Sequence, residues 1–366
     1  MVNETVLEID LSALKKNYLF LKSIIPPKTL FLAVVKAFAY GSDAVVVAKY
    51  LEKLGVDYFA VAYIDEGVAL RKGGVVAPIL VLHPQPVNFR KAIEFNLEPS
   101  LYSERVLNAF VDAAAEMKQK KFPVHIKFNT GLNRLGFQNK ASKRIAFELS
   151  KENTIKVKSI FSHLAASEDS EERAFTLRQI DLFSEICEAF ESGYGKLPVR
   201  HLCNTSGVVN YPGAAFDMVR CGIGLYGYDN RIGCSSDLLP VLSLKSVISQ
   251  IHELKKGDSV GYNRAYVADA KKTIATLPLG HADGIGRQYG NGVGYVSVQG
   301  QKAPIVGNVC MDMIMIDVSD IDCQEGDHVV VFDTVTTAEH FAESAKTISY
   351  ELLTALSRRI KRRLVE

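Results

Sequence analysis

The chain has 366 residues, 48% of them hydrophobic and 23% charged, with a formal net charge of +2. That supplies a full-sized core and more length than one domain needs, so a large α/β unit with a smaller partner is the expected organisation. Balanced charge gives no field to attract nucleic acid, no apolar run approaches the roughly 18 residues of a membrane helix, and the first residues lack a signal peptide's basic and apolar stretches.

In chain order, Leu30–Lys36 reads as a buried strand and Asp43–Leu54 as a helix with Val46, Val47, Tyr50, Leu51 and Leu54 on one face. Asp57–Ala62 is a second strand, followed by a helix from Asp65 to Lys72 that stops at Gly73-Gly74. Pro78–Leu82, Val124–Phe128, Ile155–Phe161, Val199–Leu202 and Phe216–Val219 are further strands. Apolar strands alternating with helices imply a parallel sheet covered on both sides, and this many units favour a closed (β/α)8 barrel.

The texture changes near Gly233. Short strands then follow with few helices: Val241–Ile251, Thr273–Leu277, Gly294–Val298, Ala303–Val309, Met313–Val318 and His328–Phe332. The expected organisation is therefore a barrel over 1–233 and a β domain over 234–366. Thr336 with Glu339 fits a capping box opening a helix, and Ser349–Ser357 fits another helix. The basic run Arg358–Arg363 reads as a solvated tail whose first residues suit a helix carboxyl end. Six cysteines (Cys187, Cys203, Cys221, Cys234, Cys310, Cys323) show no C-x-x-C and no zinc-ligand spacing, so no metal is expected and reduced thiols in the cytoplasm are.

Polar residues fall at the carboxyl ends of the barrel strands: Lys36, Lys127, Asn129, His163, Asn204, Thr205 and Arg220. In a barrel these ends share one face, where catalytic groups collect. A lysine there is desolvated, which lowers its pKa and frees the amine for a Schiff base. Singly, each has a plainer explanation: Lys36 meets solvent, His163 is a bonded structural histidine, Arg220 is half of an ion pair, Lys127 snorkels from the rim and Cys310 is an inert thiol. Together they describe a barrel active site suited to an anion.

The words around these positions are more specific. Ala33-Val-Val-Lys-Ala-Phe-Ala-Tyr-Gly41 resembles the cofactor-lysine signature of the alanine racemases, and His125-Ile-Lys-Phe-Asn-Thr-Gly-Leu-Asn-Arg-Leu-Gly-Phe137 resembles that family's central motif. Phe161-Ser-His163, His201-Leu-Cys-Asn-Thr-Ser206 and Val219-Arg-Cys-Gly-Ile-Gly-Leu-Tyr-Gly227 follow in order. So do Val260-Gly-Tyr262, Leu279-Gly-His-Ala-Asp-Gly284, Pro304-Ile-Val-Gly-Asn-Val-Cys-Met-Asp312 and Thr347-Ile-Ser-Tyr-Glu351.

The resemblance implies an amino-terminal TIM barrel, a carboxyl-terminal β domain joined by the chain's first residues, and a homodimer with shared active sites. It implies that Lys36 holds pyridoxal 5'-phosphate and is the base on one face of the substrate's α-carbon, with Tyr262 of the second subunit on the other. A free tyrosine has a pKa near ~10, so that base must be tuned. Arg220 would face the pyridine nitrogen and, keeping its proton, leave that nitrogen unprotonated. His201 would buttress Arg220, and His163 would pack on the ring. Tyr40, Thr205, Tyr350 and the amides of Gly222 and Ile223 would hold the phosphate, with Asn204 and Ser206 alongside. Arg134 and the Met311 amide would meet the substrate carboxylate. Lys127 is a candidate for carbamylation, as in some family members, and Cys310, Asp312 and His281 would support the substrate side.

Several positions depart from the family pattern. Phe38 stands where asparagine is frequent, Ser42 for histidine, Asn129 for aspartate, Thr205 for serine, and His281 for a tyrosine lining the substrate entrance. The expected activity is interconversion of the alanine enantiomers, supplying D-alanine for peptidoglycan. A racemase accepting serine or another amino acid stays open beside it. A decarboxylase on this architecture is disfavoured by Val-Cys-Met-Asp312, and a non-catalytic cofactor carrier by the β domain with Tyr262.

Overall fold

A computed structural model describes residues 4–229 and 237–365. Cys234 and the boundary drawn at Gly233 lie outside them. After β1 (Val6–Asp10), eight strands close a parallel barrel: β2 (Leu30–Val34), β3 (Tyr58–Val61), β4 (Ile79–Val81), β5 (Glu98–Leu101), β6 (Phe122–Lys127), β7 (Ile155–Phe161), β8 (Val199–His201) and β9 (Met218–Cys221). Closure is the pairing of β9 with β2, Leu32 opposite Arg220. Phe31, Phe59, Leu80, Val124, Ile160 and Val219 are fully buried, as strands covered on both faces must be.

Several helices begin where side chains satisfy their orphan amides. The Asp43 carboxylate accepts from Val45 and Val46 N–H and opens Ala44–Lys53. The sequence hides β5, because Glu98-Pro-Ser-Leu101 is polar where its neighbours are apolar. It is nonetheless buried throughout, its carboxylate bonded to His125 of β6.

Of the remaining strands, Ser259–Val260 and Tyr266–Val267 pair as a separate two-stranded sheet, and the others form a nine-stranded sheet that also takes in β1. There β1 runs antiparallel to Leu242–Val247 and parallel to Lys361–Val365. The run expected as one strand, Val241–Ile251, is two, Leu242–Val247 and Gln250–Leu254. The late capping residue is Thr337 rather than Thr336: its hydroxyl accepts from His340 N–H, and the helix is Ala338–Ser344. Among the described residues no helix is long and apolar enough to cross a membrane.

The basic carboxyl segment is not a solvated tail. Arg359 binds the Asp283 carboxylate at 2.6 and 2.8 Å and Asp312 at 2.8 Å. Arg362 donates to the carbonyls of Gly41, Ser42, Leu356, Ser357 and Ile360, and Arg363 pairs with Glu8. Five fixed donors let one guanidinium knit several chain segments together, which composition alone does not reveal.

Glu8 sits between Lys245, at 2.8 Å, and Arg363. Burial acts to raise its pKa, but hydrogen bonds and charge from these two cations outweigh it and hold the carboxyl below its ordinary value. A lowered folded-state pKa stabilises above the unfolded value, and the gain is lost as pH falls through the folded one. Glu8→Gln should therefore destabilise the protein by roughly 1–3 kcal/mol near neutral pH, and by much less near pH 3, in denaturant titrations. A deficit independent of pH would assign the effect to packing.

Candidate active site

Strand β2 stops at Val34, two residues before the lysine expected to close it. Ala37, Phe38, Ala39 and Tyr40 then all have φ between 51° and 56°, a full left-handed turn without glycine. Each such residue costs roughly 1–2 kcal/mol. The turn is held from outside. Glu66, on the helix after β3, accepts from Ala37 N–H at 2.6 Å and from Ala62 and Tyr63 N–H at 2.7 and 3.1 Å. Ser42 donates to Ala39 O at 2.6 Å, and Gly41, at φ 83°, ends the turn. Lys36 is thereby presented at the barrel mouth from an over-determined backbone.

Lys36 opens into a cavity of about 570 Å³ lined also by Tyr40, Lys127, Arg134, His163, Asn204, Thr205, Arg220, Gly222, Ile223 and Tyr350. Four cations share this lining, and no described lining residue is an aspartate or glutamate. Burial first, then the Arg134 charge, lowers the Lys36 pKa, with Glu66 opposing. Lys127, 5.7 Å above the Phe161 ring, is lowered to about 8 by burial and then by Arg220, Arg134 and Lys36. The site disfavours its own positive charge, which is the condition for binding anions and keeping an amine neutral.

Arg220 is buried under the cavity. It donates to His201 Nδ1 at 2.9 Å, to the carbonyls of Ser162 and Leu202 at 2.7 and 3.0 Å, and to His163 Nδ1 at 3.1 Å. Burial lowers its pKa to about 10, so it remains charged at neutral pH. Burial and then the Arg220 charge push both histidines well below their ordinary value, so each accepts as a neutral ring. His201 stacks on Phe161, with ring centroids 4.7 Å apart.

One corner is shaped by absent side chains. A Cβ on Gly222 would stand 2.2 Å from the Tyr40 hydroxyl, and one on Gly224 would stand 2.5 Å from Thr205 Cγ2. Thr205 Oγ1 accepts from Gly222 and Gly224 N–H at 3.2 Å each. The Tyr40 hydroxyl is raised by burial, then by Tyr350 and Cys221, and so stays a donor. Ser206 turns away, donating to Asp229 O at 3.2 Å. Asn204 caps the helix Thr205–Asn210 through Gly207 N–H.

Arg134 rides on a loop whose ends are tied by Asn129 N–H to Phe137 O and Phe137 N–H to Lys127 O. Asn129 supplies the acceptor that aspartate would, taking Gly131 and Asn133 N–H.

Tyr350 apart, the β-domain candidates are not brought to this cavity within one chain. Tyr262 is 73% exposed and Met311 59%. They share a surface nonetheless: Asn308 donates to Tyr262 O, Cys310 Sγ contacts Asn308 O, and His281 and Ala282 N–H donate to Cys310 and Met311 O. Asp312 pairs with Arg359.

Sequence reasoning passed over Glu66 and named Phe161 only within a motif, without a role. A glutamate three residues into a helix that follows a barrel strand was the available signal for Glu66.

Ala37 tests the stored strain. Relief of roughly 1–2 kcal/mol on Ala37→Gly should exceed glycine's added unfolded-state entropy of roughly 0.5–1 kcal/mol. Chemical denaturation should therefore show a variant up to about 1 kcal/mol more stable than the parent; a less stable one would show the turn to be unstrained.

Residues 9–230 match the family model for the alanine racemase N-terminal domain, and 241–364 that for the C-terminal domain. Similar relatives include an alanine racemase of Halothermothrix orenii, 36% identical over 97% of this chain and 95% of that one, and alanine racemase 1 of Oceanobacillus iheyensis, 35% identical over 98% and 97%. Similar solved structures include the alanine racemase of Clostridium difficile 630, with TM-score 0.93, 33% identity and coverage of 100% and 97%. That of Bacillus anthracis with bound L-Ala-P has TM-score 0.92, 30% identity and coverage of 100% and 96%. With barrel, β domain and both family models in register along its length, the chain belongs to the alanine racemase family.

Proposed function

We propose that this protein interconverts L- and D-alanine with pyridoxal 5'-phosphate, as a cytoplasmic homodimer whose active sites each draw residues from both chains, supplying D-alanine for peptidoglycan. The observation carrying this reading is the cavity of four cations without a described carboxylate, in which one amine is desolvated. Such a lining suits two anions, the cofactor phosphate and the substrate carboxylate. The Gly222 and Gly224 cradle, the Tyr40 hydroxyl and the charged Arg220 fit the cofactor's phosphate and ring nitrogen. When bound, the cofactor supplies the electron sink that makes the substrate's α-proton acidic.

Lys36 would hold the cofactor and, neutral, take or return the α-proton on its own face. Arg220, kept protonated, would donate to the ring nitrogen and leave it unprotonated. His201 fixes Arg220, and His163 would lie beside the ring. Tyr40, Tyr350, Thr205 and the amides of Gly222 and Ile223 would hold the phosphate, Thr205 rather than Ser206 because only the former faces the cavity. Arg134 and the Met311 amide would orient the substrate carboxylate. Lys127, with its pKa near 8, has enough neutral amine to take up carbon dioxide, and as a carbamate would pair with Arg134. The exposed face of Tyr262, Met311 and Met313 is apolar and suits docking on a second copy's barrel mouth, bringing Tyr262 to the face opposite Lys36 and His281 to the entrance.

Borohydride treatment and peptide mapping should place the cofactor on Lys36. Lys36→Ala and Tyr262→Phe should each lose most racemisation, the latter with near-normal cofactor absorbance. Mixing the two inactive variants under subunit exchange should restore about a quarter of the sites, since half the dimers are mixed and each holds one intact site. No recovery on verified exchange would refute the shared site, and a fully active monomer in sedimentation would refute the dimer.

A further inference from the structure

Beneath the cavity, a line of buried polar side chains crosses the barrel through five consecutive strands. Glu98 of β5 meets His125 Nε2 of β6 at 2.7 Å, and His125 Nδ1 meets Ser159 Oγ of β7 at 2.5 Å. Ser159 Oγ meets His201 Nε2 of β8 at 2.7 Å, and His201 Nδ1 meets Arg220 of β9 at 2.9 Å. All five residues are more than nine-tenths buried. Tyr58 of β3 adds a bond to the same Glu98 oxygen, at 3.3 Å.

The two ends dictate where every proton lies. A guanidinium only donates, so His201 Nδ1 must accept and its proton must sit on Nε2. That N–H donates to Ser159 Oγ. The single Ser159 proton then goes to the other bonded nitrogen, His125 Nδ1, which places the His125 proton on Nε2, facing Glu98. A carboxylate only accepts, so the far end demands the same polarity independently. Four hydrogen bonds thus run one way from cation to anion, with no donor facing a donor. Plain satisfaction of buried groups would need each bond, but not a charged terminus of fixed sign at both ends.

We propose that Glu98 is a positioning residue for the reaction centre. Through His125 and Ser159 it fixes His201 in the Nε2–H tautomer, and so fixes the acceptor that orients Arg220. The proposal rests on the reading of Arg220 as the group facing the cofactor ring. If the anion is lost, Arg220 alone biases His201, and the Nδ1–H tautomer, which points a donor at a donor and releases one edge of the guanidinium, becomes populated beside the Nε2–H form. Ser162, Leu202 and His163 still hold the other edge, so the expected effect is misorientation rather than collapse.

The test is nitrogen-15 NMR of the histidine rings in the full chain, with and without cofactor, beside the cofactor dissociation constant. The parent should show His125 and His201 each as a single Nε2–H tautomer. Glu98→Gln keeps an acceptor oxygen and should retain that pattern. Glu98→Leu should give mixed His201 tautomers and roughly tenfold weaker cofactor retention, the scale of one lost buried hydrogen bond. Should Glu98→Leu not fold, Ser159→Ala cuts the line midway while leaving Glu98 paired with His125, and should free the His201 tautomer in the same way. A folded Glu98→Leu or Ser159→Ala protein with a single Nε2–H His201 and unchanged retention would overturn the proposal. The tautomers are read without cofactor, whereas borohydride mapping tests whether cofactor sits on Lys36, so failure of one reading is distinguishable from failure of the other.

Discussion

Like charges packed without counter-ions are the constraint from which the rest of this molecule follows. Lys36, Lys127, Arg134 and Arg220 face one cavity whose described lining offers no carboxylate. Neutralising them locally would fill the site with structural ion pairs and return Lys36 to an ordinary ammonium. The fold instead moves its carboxylates out of sight. Glu66 is spent on three backbone N–H groups behind the lysine, and Glu98 is held at the far end of a line of bonds below the arginine. Glu66 reaches Lys36 only as a charge opposing the lowered pKa, and neither carboxylate lines the cavity, which keeps its appetite for anions.

The same economy explains the left-handed turn. Four residues in an unfavoured conformation hold the chain where a right-handed turn would carry it elsewhere, and the surrounding structure supplies the missing restraint. Arg362 contributes from the other end of the sequence, donating to the Gly41 and Ser42 carbonyls just beyond the turn. The β domain is therefore part of the scaffold that shapes the barrel's lysine.

Periodicity made most of the fold legible. Strands such as Ile155–Phe161, whose apolar character matches their burial, were readable to the residue. β5 was not, because a buried strand that serves a polar network carries Glu98 and Ser100 where apolar residues are expected. The basic carboxyl segment misled for a related reason: arginines that bind carbonyls and carboxylates have the composition of solvated ones, and only their partners distinguish them. In the site, Lys36, Lys127, His163, Asn204, Thr205 and Arg220 line one cavity, as their strand positions implied, whereas Asn129 does not. Left-handed backbone at Ala37–Tyr40 could not be read, since alanine and phenylalanine argue against it, and the network of His125 and Ser159 depends on cross-strand register that no local pattern encodes.

The placement of β1 bears on how the molecule assembles. It is translated before any barrel strand, yet its two neighbours in the sheet, Leu242–Val247 and Lys361–Val365, emerge after the barrel is complete. During synthesis it must wait, unpaired along both edges, while the intervening (β/α) units condense. Lys361–Val365, translated long after the barrel, then docks beside it. Sheet completion thus waits for residues 361–365, and a product stalled before them would expose a strand with an open edge, the kind of surface on which misassembly and chaperone capture act.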